Sequence, residues 1–91
     1  MAITAVFRVP GMTAAQYDQT VRELEAKGAG KPDGRMYHVA GPTAEGWMVV
    51  DVWESEEKLG RFGETLMPVL IANGITPPQP TIYPVHNILK G

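Results

Sequence analysis

The sequence predicts an α+β fold in which a four-stranded antiparallel sheet carries two helices on one face. The order strand, helix, strand occurs twice along 91 residues, and the interval 7–28 in the first half equals the interval 53–74 in the second. The segment 46–54 is mainly apolar on both of its faces, as expected for a covered central strand. Two such units in one small domain, residues 1–91, are typical of the ferredoxin-like βαββαβ fold with right-handed crossovers.

The first half predicts a strand, a helix and a second strand. Residues 3–9 are rich in β-branched and aromatic side chains and stop at a Pro-Gly turn pair. Thr13 precedes Gln16 by the spacing of a capping box, which marks a helix start. The helix ends by Gly28, and a short strand follows at 35–40. The apolar stripe of this predicted helix consists of Tyr17, Val21 and Leu24.

The second half repeats this order around a longer helix. Ser55 is a good N-cap directly after the strand 46–54, and Asn73-Gly74 ends the helix. Pro68 predicts a kink or a fresh turn, because proline lacks an amide hydrogen and crowds the preceding turn. The last strand is expected at 81–89, and Pro84 marks it as an edge strand. The buried stripe of this helix is Leu59, Phe62, Leu66 and Val69/Leu70.

Composition excludes several classes of function. Eight basic and ten acidic side chains give a net charge of −2, and no cluster of Lys or Arg favours nucleic-acid binding. The absence of cysteine removes disulfides, thiolate metal sites and thiol nucleophiles. The longest apolar run, 66–72, is too short to cross a membrane and no signal peptide is apparent, so we expect a cytoplasmic protein.

The second face of the sheet has no covering element in this chain. A central strand that is apolar on both faces would leave a hydrophobic patch too large for a stable monomer. We therefore expect a two-fold homodimer in which the sheets of two copies pack face to face.

Three segments resemble the dimeric α+β barrel superfamily, above all its antibiotic-biosynthesis-monooxygenase-like members: Pro-Gly-Met-Thr-Ala-Ala-Gln-Tyr-Asp (10–18), Asp-Val-Trp-Glu-Ser-Glu-Glu (51–57) and Pro-Val-His-Asn (84–87). The resemblance implies a dimer that forms an α+β barrel, with a pocket between sheet and helices. The superfamily includes cofactor-independent oxygenases, haem-degrading enzymes and polyketide cyclases, so fold alone does not select a reaction. Its haem-degrading members use an asparagine in the first strand and a histidine at the end of the second helix, and both are missing here.

The two histidines are the candidate catalytic residues. His38 and His86 lie in predicted strands, and imidazole is suited to proton transfer near neutral pH. Each could equally be a structural, hydrogen-bonded imidazole. With a strand order of 4-1-3-2 they would lie at opposite edges of the sheet, which argues against a pair acting together.

The candidate substrate-binding residues centre on Asp51. A carboxylate in a buried strand needs a partner, and Arg8 on the neighbouring strand is the expected counter-ion, although a catalytic base is the alternative. Trp47 and Trp53 share its face and would form either an aromatic pocket wall or core. Tyr37 and Tyr83, on predicted edge strands, would orient a ligand or reach water.

These residues favour a small enzyme without metal or organic cofactor that acts on an aromatic or polyketide-like compound. No metal-ligand spacing, dinucleotide fingerprint or nucleophile elbow is present. A monooxygenase and a cyclase both need a base at the same step, and the sequence does not rank them. The alternative is a non-catalytic homodimer that binds a small ligand or serves as an accessory subunit.

Overall fold

The computed structural model describes all residues, 1–91, and contains four strands and two helices. In chain order these are β1 (Ile3–Pro10), α1 (Ala14–Ala26), β2 (Arg35–Thr43), β3 (Gly46–Trp53), α2 (Glu56–Ala72) and β4 (Thr81–Pro84). The sheet has the order β2-β3-β1-β4, and all neighbouring strands are antiparallel. The predicted ferredoxin-like βαββαβ fold is therefore confirmed. Neither helix combines the length and apolar character needed to cross a bilayer.

The last strand is shorter than predicted. β4 ends at Pro84 instead of continuing to residue 89. Its partner β1 begins at Ile3, which lies opposite Pro84, so only the bond from the Val85 amide to the Ala2 carbonyl (3.0 Å) extends the pairing. The last strand therefore ends where its ladder with β1 ends.

Two other boundaries also differ from the prediction. β2 continues through Gly41-Pro42 to Thr43, which is tolerated because β2 is an edge strand and proline removes no needed ladder bond there. The second helix continues through Pro68 to Ala72 and does not start afresh at the proline.

The two faces of the sheet differ in their covering. Both helices pack on the same face of the sheet. This face carries the buried alternate residues of β1 and β3, which are Ile3, Ala5, Val9, Trp47, Asp51 and Trp53. No element covers the opposite face, which we call the open face. By the strand register, its apolar side chains are Val6, Tyr37, Val39, Met48, Val50, Val52 and Tyr83.

The helices are fixed at their ends and to each other. Thr13 and Gln16 form the predicted capping box, and Ser55 accepts a hydrogen bond from the Lys58 amide at the start of α2. The Gln16 side chain donates to the Asn73 carbonyl oxygen (3.2 Å), and the Asn73 side chain donates to Glu23 (3.1 Å). These bonds tie the first and later turns of α1 to the end of α2.

Candidate functional site

The buried carboxylate of Asp51 uses both of its oxygens. Asp51 lies on β3, faces the helices and is 4% exposed. Its Oδ2 accepts a hydrogen bond from Trp53 Nε1 at 3.1 Å, and its Oδ1 lies 2.6 Å from His38 Nδ1. Because an ionised carboxylate can only accept, the proton of this second bond belongs to His38 Nδ1. Burial of the acid is thus compensated by two donors.

The predicted ion pair between Arg8 and Asp51 is wrong. β1 places Ala5 opposite Asp51, and Arg8 lies opposite Met48. Arg8 is on the open face of the sheet, where its guanidinium contacts the Met48 sulfur at 3.6 Å. Arginine and aspartate are on adjacent strands, as expected, but the register separates them and their side chains point to opposite faces.

His38 connects Asp51 to a tyrosine on the first helix. The edge strand β2 places His38 opposite Asp51, and His38 Nε2 lies 2.6 Å from the Tyr17 hydroxyl. With its proton on Nδ1, a neutral imidazole accepts through Nε2, so the Tyr17 hydroxyl donates to it. Tyr17, His38 and Asp51 therefore form one hydrogen-bonded chain across α1, β2 and β3.

The Tyr17 phenol lies in an electrostatic environment that opposes its ionisation. Burial is the main cause that raises the pKa of Tyr17 above its ordinary value, and the negative charges of Asp51 and Asp18 act in the same direction. The positive charge of Arg35 opposes this rise and lowers the pKa. The phenol is consequently protonated at neutral pH and able to donate to His38.

The hydrogen-bonded chain borders a cavity between the sheet and the two helices. The cavity has a volume of about 150 Å³, and Tyr17, His38 and Asp51 all contribute to its lining. Most of the remaining lining is apolar and comes from both helices and the sheet, for example Val21, Leu66 and Val49. An apolar cavity with a few convergent polar groups is typical of a small-molecule site.

The other predicted site residues take different positions. Trp47 and Trp53 lie on the helix face: Trp47 packs on the Tyr17 ring with centroids 5.1 Å apart, and the fully buried Trp53 holds Asp51. Tyr37 and Tyr83 belong to the open face, away from the cavity. The structure does not bring His86 to this site: it is exposed and follows the last strand, at the edge of the sheet opposite to β2.

Two residues of this site, Tyr17 and Arg35, are not among the predicted site residues. Tyr17 belongs to the apolar stripe of α1, where its ring contributes to the core and hides the function of its hydroxyl. A buried tyrosine hydroxyl usually finds a partner, and this requirement is the signal that could have pointed to it. Arg35, at the start of β2, also lines the cavity, but no local sequence signal marks it.

The arrangement can receive a proton from a bound molecule. Tyr17 would accept the proton at its oxygen while passing its own to His38 Nε2, and Asp51 would stabilise the resulting imidazolium. No group of three or more histidine or acidic side chains is placed to hold a metal ion.

The fold is shared with solved structures of antibiotic-biosynthesis-monooxygenase-like proteins, so the resemblance predicted from the sequence is confirmed at the level of the fold. SnoaB, a cofactor-independent oxygenase from Streptomyces nogalater, has 14% sequence identity and a TM-score of 0.68, with 99% of this chain and 98% of that chain covered. A candidate antibiotic biosynthesis monooxygenase from Chloroflexus aurantiacus has 15% identity, full coverage of both chains and a TM-score of 0.64. No protein-family model and no curated protein matches the sequence.

Proposed function

We propose that this chain is a small cofactor-independent enzyme that removes a proton from an aromatic or polyketide-like substrate bound in the cavity. The observation that carries the proposal is the hydrogen-bonded chain from Tyr17 through His38 to Asp51, with Tyr17 and His38 bordering an apolar cavity. A solvated surface histidine would have no such arrangement. The fold shared with an oxygenase that needs no cofactor supports the same class of activity.

Each member of the chain has a distinct role in this proposal. Tyr17 contacts the substrate and transfers the proton, and His38 is the base that stores it. Asp51 fixes the tautomer of His38 and offsets the positive charge that forms, while Trp53 holds the second carboxylate oxygen in place. Because Asp51 is buried, its charge acts on His38 with little screening by solvent.

Two reactions begin with this proton transfer. In a monooxygenase, the substrate carbanion passes electrons to dioxygen, so that a CH₂ group and O₂ give a carbonyl group and water. In a polyketide cyclase, the enolate attacks a carbonyl carbon of the same molecule, and the new oxyanion takes the proton back. Both reactions need the same base and neither requires a metal.

The open face supports the homodimer as part of the proposal. Its side chains include Val39 and Tyr83, which are 67% and 54% exposed. The chain exposes 5948 Å², whereas a folded monomer of 9.9 kDa typically exposes about 5,200 Å². Face-to-face packing of two sheets would cover this apolar surface and leave the cavity, on the helix side, in each copy.

The experiment compares the variants His38→Ala and His86→Ala, which make the same change inside and outside the site. Oxygen consumption and substrate absorbance would be followed with a panel of hydroxylated aromatic compounds and poly-β-ketones. We expect His38→Ala to lower the rate by about 10²–10⁴-fold, the contribution of a positioned base. His86→Ala should leave the rate unchanged.

Dichroism and sedimentation would test whether both variants keep the fold and the assembly state of the unaltered protein. Unchanged turnover in a folded His38→Ala variant would overturn the role of His38. If the unaltered protein binds these compounds in the cavity but converts none of them, the non-catalytic ligand-binding alternative would replace the enzyme.

A further inference from the structure

Arg35 is a positive charge at the cavity without an acidic partner. It is the first residue of β2, next to an irregularity in the strand register between Arg35 and Tyr37. Its Nη2 donates one hydrogen bond to the Gly30 carbonyl oxygen at 2.9 Å. The salt bridges of the structure involve His38, Lys58 and Arg61 as cations, and none involves Arg35.

Most of the hydrogen-bonding capacity of this guanidinium is unused within the chain. A guanidinium carries five N–H donors in a fixed planar arrangement, and the chain itself satisfies one. The group is partly buried and lines a cavity whose other walls are largely apolar. A charge in such a place favours an oxyanion as its partner, because charge-assisted hydrogen bonds gain strength in surroundings of low polarity.

Arg35 and Tyr17 line the same cavity and interact electrostatically. The guanidinium charge is close enough to the phenol to lower its pKa against the effect of burial. Both side chains line the cavity, together with His38. An oxygen that lies between Arg35 and Tyr17 would meet a fixed positive charge on one side and the proton-transfer chain on the other.

The volume of the cavity limits the size of the group that it can enclose. An apolar cavity of about 150 Å³ is of the size that accommodates a benzene molecule, and this cavity has that volume. A single six-membered ring with one polar substituent fits this space, whereas three or four fused rings exceed it and would leave part of the molecule outside the cavity.

We propose that the cavity binds a one-ring phenol or enol as its oxyanion, and that Arg35 is the residue that binds this oxygen and selects the ionised form. The inference rests on the proposed function, since it names the substrate class of the same site. Arg35 would hold the charge that remains on the substrate after Tyr17 and His38 have taken the proton.

The test measures binding of 4-nitrophenol, whose ionised form absorbs visible light. Nitrobenzene is the comparison without the oxygen, and hydroxyanthracene is the comparison with three fused rings. We expect bound nitrophenol to be more ionised than free nitrophenol at the same pH, and its affinity to exceed that of nitrobenzene by about tenfold or more, the value of a hydrogen bond to a charged group. Hydroxyanthracene should bind at least about tenfold more weakly than nitrophenol, because its extra rings exceed the cavity.

The variants separate the charge of Arg35 from its structural role. Arg35→Gln should lose the ionisation of the bound probe and the tenfold preference, and Arg35→Lys should keep the ionisation because it retains the charge. Arg22→Gln is the matched control, since Arg22 lies exposed on α1 and its side chain donates hydrogen bonds to Gln19 on the same helix. If Arg35 had only a structural role, Arg35→Gln and Arg35→Lys would change the binding of nitrophenol to the same extent, and the spectrum of the bound nitrophenol would not shift.

Two results would overturn the inference: a folded Arg35→Gln variant that still binds and ionises nitrophenol, or hydroxyanthracene binding as tightly as nitrophenol. No turnover is needed for these measurements, so the outcome is distinct from that of the proposed function. If nitrophenol binding depends on Arg35 but no substrate is converted, the proposed enzymatic activity would be overturned and the proposed binding site would stand.

Discussion

Asp51→Asn is the substitution that most directly probes the hydrogen-bonded chain. In the native protein, Asp51 accepts from Trp53 Nε1 and from His38 Nδ1. An asparagine of the same shape can still accept from Trp53 through its oxygen, but its NH₂ group then points at His38 and must donate. His38 Nδ1 becomes an acceptor, so the proton of the neutral imidazole moves to Nε2, which faces Tyr17.

The cost in stability follows from the bond that is lost. A hydrogen bond to a charged group contributes about 1.5–3 kcal/mol, and a neutral one about 0.5–1.5 kcal/mol. We therefore expect the free energy of unfolding to fall by about 1–2 kcal/mol at neutral pH. The catalytic cost should be larger, because Nε2 can no longer accept the Tyr17 proton. Reversal of the histidine tautomer in a Ser-His-Asp triad lowers kcat by about 10⁴-fold.

Three measurements check this prediction. Urea denaturation followed by tryptophan fluorescence gives the free energy of unfolding, nitrogen NMR identifies which ring nitrogen of His38 carries the proton, and turnover gives the rate. Asp18→Asn, an exposed position on α1 with the same change, should alter none of them strongly. A folded Asp51→Asn variant that keeps the proton on Nδ1 and full activity would refute the reasoning.

Two further substitutions test the environment of Tyr17 and the open face. Burial raises the pKa of Tyr17, so the stabilisation from keeping this phenol neutral is complete below its ordinary value of 10.0 and is lost as the pH rises through the higher folded pKa. Tyr17→Phe should therefore lose less stability than the native chain in urea titrations between about pH 9 and 12; parallel losses would exclude a buried phenol. Val50→Lys should convert the proposed dimer to a monomer in sedimentation, because it places an unpaired charge in the covered face. Ile71→Lys, at an exposed apolar position on α2, should leave the dimer intact, and a dimeric Val50→Lys protein would argue against this interface.

The sequence carries enough information for the fold and for part of the site. The alternation of side chains between the two faces of the segment 46–53 is a local property of the sequence. It therefore identifies β3 and places Asp51 on the same face as the two tryptophans. The need of a buried acid for a partner is also local, but the identity of that partner depends on strand register. Arg8 was the expected partner, yet the register brings His38 to Asp51 instead.

The rest of the site depends on contacts between distant segments. Tyr17 belongs to the helix stripe by spacing, and only the packing of α1 on the sheet brings its hydroxyl to His38. Similarly, β4 ends where its pairing with β1 ends, which no property of the segment 81–89 reveals. Composition and periodicity describe single elements, and these features belong to pairs of elements.

The bond between Tyr17 and His38 also fastens the first helix to an edge strand across the cavity. One hydrogen atom thus serves both the proposed proton transfer and the attachment of α1 to the sheet. Any event that removes it from this hydrogen bond weakens that attachment. A molecule in the cavity that takes over this hydrogen bond should accordingly loosen α1 from the sheet, and faster amide hydrogen exchange in α1 when that molecule is bound would reveal it.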